Sequence, residues 1–301
     1  MKKILIIGAN GFLGYNIFQF RNYREIKEQD FSFIAADINN SNLSKDIQFY
    51  HIDITKSEDC VKKILKISPD VVLLTAAMTD VDKNEYDKQL ASNINTKGPK
   101  NVLKACEIIN SILIFISTDF IFDGTKKGLY NEQDAPNPLN YYGKTKYEAE
   151  LALINSNIDY LICRTAILYG WNKNKLNFIT WILNKLASNE KISIVTTQMN
   201  NPTFVRNLAE ILIKLIEKDA KGIYHTAGDA TLNRYEIALK CAEIFDYDKD
   251  LIIPIKFFKQ RAIRPKNAGL DISKLKRLIG SELKISSLED GLNYMKNYKL
   301  Y

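Results

Sequence analysis

The sequence predicts a doubly wound α/β fold, a Rossmann-type parallel sheet with a smaller C-terminal α/β lobe, and three observations carry that prediction. Short apolar, β-branched runs alternate with longer helical patterns through the first half of the chain. The first run ends in a glycine cluster, "GANGFLG", and the alternation loosens after residue 170. Strands that are apolar throughout suit a parallel sheet covered by helices, because neither of its faces meets water. In order, the candidate strands are "KKILIIG", "FSFIAAD", "IQFYHID", "DVVLLTAA", "SILIFIST" and "IDYLICRT", with helices expected over 12–24, 56–67, 83–109 and 139–155. Beyond "RTAILYG" (164–170) come a helix near 175–188, a short strand "ISIV", a proline-containing loop "MNNPTF", a helix near 204–218 and the run "GIYHTAG". The C-terminal quarter, carrying Pro254 and Pro265, reads as a smaller helical lobe with short strands.

Composition narrows the function classes. With 301 residues, 46% of them hydrophobic, the chain can bury a large core as one domain or two closely associated ones. Its 42 Lys+Arg against 35 Asp+Glu give +7, but the lysines are spread along the length and alternate with acids. No basic arm or basic-aromatic stripe is present, which argues against a nucleic-acid partner, while a modest positive field suits a small anionic ligand. Cys60, Cys106, Cys163 and Cys241 stand far apart, with no paired spacing and no histidine-rich neighbourhood, so they read as reduced packing residues and no metal is expected. The apolar opening is short and broken by glycine, and no run approaches the ~18 apolar residues of a membrane span. A cytoplasmic protein with no membrane partner is the expectation.

Ligands of open α/β sheets bind beyond the carboxyl ends of the strands, so each strand end is a candidate site. Gly8, Gly11 and Gly14 stand between a strand and a helix, where glycines allow a tight turn, close backbone approach to a pyrophosphate and close helix packing. Asp37 ends the second strand, about 23 residues beyond Gly14, where a carboxylate can accept hydrogen bonds from a ribose diol. No arginine follows it in "INNSNLSKD" to pair with a 2′-phosphate, so NADH is the preferred cofactor and NADPH the second choice. Asp53, in "HIDIT", falls where an adenine ring would lie, and Ala76 and Ala77 would let the backbone approach the cofactor.

The fifth strand ends in "ISTDFIFDG", presenting Ser117, Thr118 and Asp119, and "NYYGKTK" follows about 24 residues later. On a helix, residues four apart share a face, so Tyr142 and Lys146 can share a site, whereas Tyr141 has only Lys144 as a comparable neighbour. A hydroxyl, a phenol and an ammonium are thereby brought to one mouth.

Taken together, "GANGFLG", "STD" and Tyr142-x-x-x-Lys146 resemble the extended short-chain dehydrogenase/reductases. More narrowly, "AAMTDVDKNE", "INTKGPKNV", "ISTDFIFDG", "NPLNYYGKTKYEAE", "RTAILYG", "QMNNPT" and "RPKNAGLD" look like the dTDP-4-dehydrorhamnose reductase family and its relatives, over Met1 to about Leu292. The resemblance implies an NAD(P)-binding domain over 1–170, to which the chain returns around 193–225, and a lobe of 171–301 that is mainly for a nucleotide-sugar substrate. It makes Tyr142 the proton donor, Lys146 the ligand of the nicotinamide ribose and Thr118 the catalytic hydroxyl, with Ser117 a poorer substitute. The implied cofactor site comprises Gly8, Asn10, Gly11, Phe12, Leu13, Gly14, Asp37, Asp53, Ile54, Ala76, Ala77, Met78 and Asn95, with Tyr142 and Lys146. The implied substrate site comprises Thr79, Val81, Thr118, Asp119, Gln198, Asn201, Arg261 and Arg264, the two arginines facing a diphosphate.

The implied reaction is reduction of the C4 ketone of a nucleotide-linked 4-keto-6-deoxy sugar, dTDP-4-dehydro-L-rhamnose to dTDP-L-rhamnose, in a monomer or a homodimer. The alternatives are a non-catalytic relative, such as the regulatory subunit of methionine adenosyltransferase, or a nucleotide-sugar 4-epimerase or other ketoreductase. Two departures from the family pattern, Met78 in "LTAAMT" and Thr197-Gln198 where an Asp-Gln pair is usual, fall near the sugar site. Lys146, an oxidised nicotinamide and the helix N-terminus are together expected to lower the Tyr142 pKa.

Overall fold

The computed structural model describes residues 1–23, 31–41, 43–172 and 175–298. The chain opens with β1 (Lys2–Ile7), α1 (Phe12–Tyr23), β2 (Phe31–Asp37), β3 (Phe49–His51), α2 (Ser57–Ile67) and β4 (Val71–Leu74). Next come α3 (Val81–Tyr86), α4 (Lys88–Ser92), a π turn (Asn93–Lys97), α5 (Gly98–Ile109), β5 (Ile112–Thr118), α6 (Tyr141–Ile154), β6 (Tyr160–Thr165) and β7 (Leu168–Tyr169). The rest comprises α7 (Phe178–Ala187), β8 (Ile192–Val195), β9 (Met199–Asn200), β10 (Thr203–Phe204), α8 (Val205–Glu217), β11 (Gly222–His225), β12 (Leu232–Asn233), α9 (Arg234–Phe245), β13 (Ile252–Ile255), α10 (Ser273–Ile279) and α11 (Leu288–Asn297).

Seven parallel strands in the order β3-β2-β1-β4-β5-β6-β11 form the central sheet of a Rossmann-type fold. From β1 the sheet grows outward through β2 and β3, then returns to grow the other way through β4. The crevice expected of such a reversal therefore opens above the ends of β1 and β4. Alternate strand residues feed two cores, as a pleat buried on both sides must. Ile4, Ile6, Phe33 and Cys163 pack with α1 and α8 on one face, and Leu5, Ile7, Phe115 and Ile162 with α2, α5 and α6 on the other. A third core joins α7, α9 and α11 to the parallel pair β8–β13, built from Ile179, Ile194, Ile237, Ile252 and Leu292. The four cysteines are free and buried.

Element positions follow the sequence reading, with two exceptions. The helix expected over 83–109 is broken: Asp80 caps α3 through Lys83 N–H at 3.0 Å, and Asp87 caps α4 through Leu90 N–H at 2.9 Å. An aspartate that satisfies the free N–H groups of a helix start competes with continuation through it. The second exception is β3, reduced to three residues of "IQFYHID". Residue 24 of the first expected helix lies outside the described residues.

The first turn shows why its glycines are needed. Gly8 has φ +92°, and a Cβ there would lie 2.5 Å from Ala76 N at the end of β4. At Gly14 a Cβ would lie 2.3 Å from the Gly8 carbonyl oxygen, whereas at Gly11 the nearest atom is 3.1 Å away. Gly14→Ala should destabilise the fold by about 1–3 kcal/mol through overpacking, lowering Tm by roughly 2–4 °C for each kcal/mol. Gly11→Ala, whose Cβ would meet the same carbonyl oxygen at the longer distance of 3.1 Å, should cost less than Gly14→Ala in the same thermal melt.

Candidate active site

The glycine turn is tied to the second strand by Asp37. Its two oxygens accept the Asn10 N–H at 2.9 Å and the Ile38 N–H at 2.7 Å, leaving one lone pair on each for a further donor. The Asn10 side chain donates to Asn39 and to Ser41 Oγ, so the loop after β2 offers amides and a hydroxyl here. Gly11 is exposed, Phe12 half-buried, and Leu13 belongs to the core beneath α1. Asp53 closes its own turn by accepting both the N–H and the hydroxyl of Thr55; burial, which would raise its pKa, is outweighed by these bonds. Ile54 is buried against Gly98, and Ala76 and Ala77 border the glycine turn half-buried. The close approaches at Gly8 and Gly14, and the open face at Gly11, form a cradle that fits the pyrophosphate of a dinucleotide.

Beside this cradle the end of β5 alternates its two hydroxyls. Ser117 is buried without a hydrogen-bond partner, in register with Arg164, while Thr118 turns towards α6 and the C-terminal lobe. The Thr118 hydroxyl accepts the Phe120 N–H at 3.2 Å and donates to Asp119 Oδ1 at 3.1 Å. Asp119 Oδ2 accepts from Asn200 Nδ2 at 2.5 Å, which joins the lobe to this turn. Burial pushes the Asp119 carboxyl up to about 6, against the bonds from Asn200 and Thr118 and the charge of Arg234.

Helix α6 delivers the phenol and the ammonium. Asn140 caps it by accepting the Gly143 N–H at 2.8 Å, so Tyr141 and Tyr142 are its first two residues. They point apart. Tyr141 lies under Lys88, whose Nζ is 5.3 Å from the ring centroid, and its N–H donates to Glu85. Tyr142 is buried, stands edge-on to Phe120 at 6.2 Å and is close enough to Thr118 for that hydroxyl to act on its phenol. Within the chain alone, burial raises its phenol well above the ordinary range and the Asp119 charge adds to this, opposed by Thr118. Lys146 is also buried, its Nζ 3.9 Å from the Phe115 ring centroid. Burial pulls its ammonium down to about 7, and Glu150, one turn on, opposes that.

Two buried networks that the sequence reading did not anticipate hold these groups. Glu150, with no exposed surface, accepts from Arg164 Nε at 3.1 Å and Nη2 at 2.7 Å, the arginine being 2% exposed. Its sequence signal was a charge inside the apolar run "DYLICRT" and a glutamate four residues after Lys146. Asn95, on the π turn, accepts the Met78 N–H at 2.8 Å and donates to the Met78 carbonyl at 3.1 Å and to Asn84 Oδ1 at 3.0 Å. Asn84 donates in turn to the Met78 and Asp80 carbonyls. Asn95 was expected at the cofactor; it is fully buried and acts on the site by clamping the Met78 loop.

On the substrate side several of the expected residues are held by other parts of the chain. Asn201 is 1% exposed and spends its amide on Gly228 O, Leu270 N–H and Leu270 O, so it fastens the lobe internally. Arg264 makes a two-pronged pair with Asp82 at 2.8 and 2.7 Å and also donates to Ala262 O; its hydrogen bond holds the Asp82 carboxyl down to about 2. Arg261 lies over Tyr86, 4.0 Å from the ring centroid. Both arginines are therefore occupied by α3. Gln198 donates weakly to Gln260, Thr79 is exposed, and Val81 is half-buried at the start of α3. A different cation stands nearer the catalytic turn: Arg234, half-buried over Phe178 at 4.5 Å, has no ion pair among the described residues, and its charge acts on Asp119.

Comparison with known proteins agrees with this geometry. The family model described as RmlD substrate binding domain matches residues 1–295. Methionine adenosyltransferase 2 subunit beta of Rattus norvegicus is 31% identical over 285 residues, covering 92% of this chain and 82% of that protein. The dTDP-4-dehydrorhamnose reductase of Aggregatibacter actinomycetemcomitans is 30% identical over 314 residues, covering 100% of this chain and 99% of its own. The crystal structure of dTDP-4-dehydrorhamnose reductase from Bacillus anthracis in complex with NADP superposes with a TM-score of 0.85 at 30% identity, covering 98% and 99% of the two chains.

The buried Glu150–Arg164 pair leads to a stability prediction. Glu150→Gln should cost about 3–5 kcal/mol, because it leaves a buried guanidinium unpaired. Asp159→Asn, which breaks the exposed pair with Lys221, should cost under about 1 kcal/mol. Urea unfolding midpoints of the two variants measure the difference.

Proposed function

This chain belongs to the RmlD substrate-binding domain family, and from that premise we propose that it is an oxidoreductase using a nicotinamide dinucleotide to reduce the C4 ketone of a nucleotide-linked 4-keto-6-deoxy sugar. The favoured substrate is dTDP-4-dehydro-L-rhamnose, giving dTDP-L-rhamnose. The observation that supports this best is the meeting of Thr118, Tyr142 and Lys146, all buried, beside the glycine cradle. In this reading the sheet domain holds the dinucleotide, with Lys146 on its ribose and Asp37 on the adenosine diol, and the C-terminal lobe holds the nucleotide sugar.

When bound, the reduced nicotinamide supplies the hydride. The residues of this chain supply placement and the proton. Tyr142 keeps its phenol protonated throughout the neutral range, since burial holds the pKa high, and donates that proton to the carbonyl oxygen as negative charge develops there. Thr118 reaches the same oxygen as a second donor. Phe120, at the edge of the Tyr142 ring, and the closely packed start of α6 fix the phenol's direction and keep water from it.

A second reading, a non-catalytic partner subunit, draws on the likeness to methionine adenosyltransferase 2 subunit beta. Purified protein mixed with NADH or NADPH and a panel of 4-keto-6-deoxy nucleotide sugars separates the two. Consumption of the reduced cofactor with formation of a 4-hydroxy product supports the reductase, and no turnover with any member favours the partner subunit.

Tyr142→Phe should lower kcat by roughly 10²-fold or more with dinucleotide binding retained, whereas Tyr141→Phe should remain close to the parent. An inactive Tyr141→Phe beside a normal Tyr142→Phe would reverse the assignment. NADH should give the higher kcat/KM, because Asp37 would repel a 2′-phosphate and the loop after β2 carries no arginine. An NADPH preference above about tenfold would remove Asp37 from that role.

A further inference from the structure

We propose that Asp119 is a positioning residue that sets the direction of the Thr118 hydroxyl proton, turning it away from the substrate's ketone oxygen when ionised and releasing it towards that oxygen when neutral. The proposal deepens the reductase reading and rests on it for its catalytic consequence. The hydrogen bonds themselves stand independently.

A threonine hydroxyl has one proton and two lone pairs. One lone pair of Thr118 takes the Phe120 N–H at 3.2 Å, and the proton goes to Asp119 Oδ1 at 3.1 Å. The remaining lone pair is what Thr118 can offer to the neighbouring Tyr142 phenol. A phenol that takes it donates to Thr118, while Thr118 donates to Asp119. Neither proton is aimed at a substrate carbonyl.

Protonation of Asp119 reverses this chain for a geometric reason. Asp119 Oδ2 faces Asn200 Nδ2 at 2.5 Å, and an amide nitrogen can only donate, so Oδ1, which has the Thr118 oxygen as an acceptor, is the favoured site for the added proton. Oδ1 faces Thr118. The carboxyl then donates to the Thr118 oxygen, whose lone pairs are both filled, by Asp119 and by Phe120 N–H, and the Thr118 proton is free for the ketone. Tyr142 is likewise released to donate to the same oxygen.

The groups facing Asp119 from the surrounding elements are Tyr142 on α6, Asn200 on β9 and Arg234 on α9, with Arg264 behind Arg234. Of these, Arg234 favours the ionised carboxylate, while burial at 3% exposure favours the neutral acid and prevails. Closing the site over a substrate would strengthen the same preference.

Two measurements on the full chain test the proposal. In protein labelled with carboxyl-¹³C aspartate, the resonance that disappears in Asp119→Asn should titrate, and Thr118→Val should move its midpoint up by about one unit, because the ionised form loses a donor. A midpoint unmoved by Thr118→Val overturns the coupling, and this arm gives its answer whether or not the protein turns over any sugar. In the reductase assay, kcat/KM of the parent should fall by about tenfold between about pH 5.5 and about pH 8, while Asp119→Asn should lose that slope whatever its absolute rate. A slope that persists in Asp119→Asn, or a parent with none, overturns the catalytic consequence. Absence of turnover at every pH instead counts against the reductase reading itself.

Discussion

The approach of α6 to the turn that follows β5 is the constraint on which the rest of the site depends. A Cβ on Gly143 would lie 2.1 Å from the Phe120 carbonyl oxygen, so only glycine allows the first turn of the helix to come this close. That contact places Tyr142, the residue before it, against Phe120 and Thr118, and it turns Tyr141 outward to Lys88. Asn140 reinforces the same geometry from below, by capping the Gly143 N–H and donating to the Ile263 carbonyl of the lobe. The two tyrosines of "YYGKTK" are therefore separated less by their spacing to lysine than by the glycine that follows them.

Charge inside the molecule is spent with similar economy. Most ion pairs lie at the surface, where each contributes little. Three buried ionisable groups lie in one line along α6 and β6: Lys146, Glu150 and Arg164. The guanidinium satisfies the carboxylate, the carboxylate supports the charge on Lys146, and the ammonium is otherwise met by the Phe115 ring. A buried lysine with only an aromatic face for a partner would lose its proton more readily, so the arginine on the next element bears on the charge of Lys146.

Much of this was legible in the sequence. The parallel sheet follows from apolar runs and the glycine turn, because parallel strands carry their burial in composition. Tyr142 and Lys146 were legible from helical spacing, and Thr118 from its place at a strand end. The partners that the sequence did not reveal share a physical origin. Arg261 and Arg264 looked available because their partners, Tyr86 and Asp82, lie some 180 residues earlier in the chain, as the contact separation of 182 for Arg264–Asp82 records. Asn201 and Asn95 were assigned to ligands because an asparagine amide serves a backbone clamp as well as it serves a substrate, and only the fold decides which. The single helix expected over 83–109 failed at Asp87, where local capping outcompeted the long apolar pattern.

The same long separations explain how the two lobes act together. Asn200 lies on β9, which pairs with β12, and β12 leads directly into α9 and Arg234. One short strand pair thus carries both the amide that binds Asp119 and the cation whose charge acts on it. Any shift of the lobe would change two influences on Asp119 at once, and both favour the ionised carboxylate: Asn200 by donating to Oδ2, Arg234 by its charge. Because Asp119 also holds the Thr118 proton, the position of the C-terminal lobe and the polarity of the Thr118 hydroxyl are coupled. On the proposed reading, a nucleotide sugar that drew Arg234 towards its own phosphates would remove one of the influences that favour the ionised Asp119, and so would favour the arrangement in which both hydroxyl donors face its ketone.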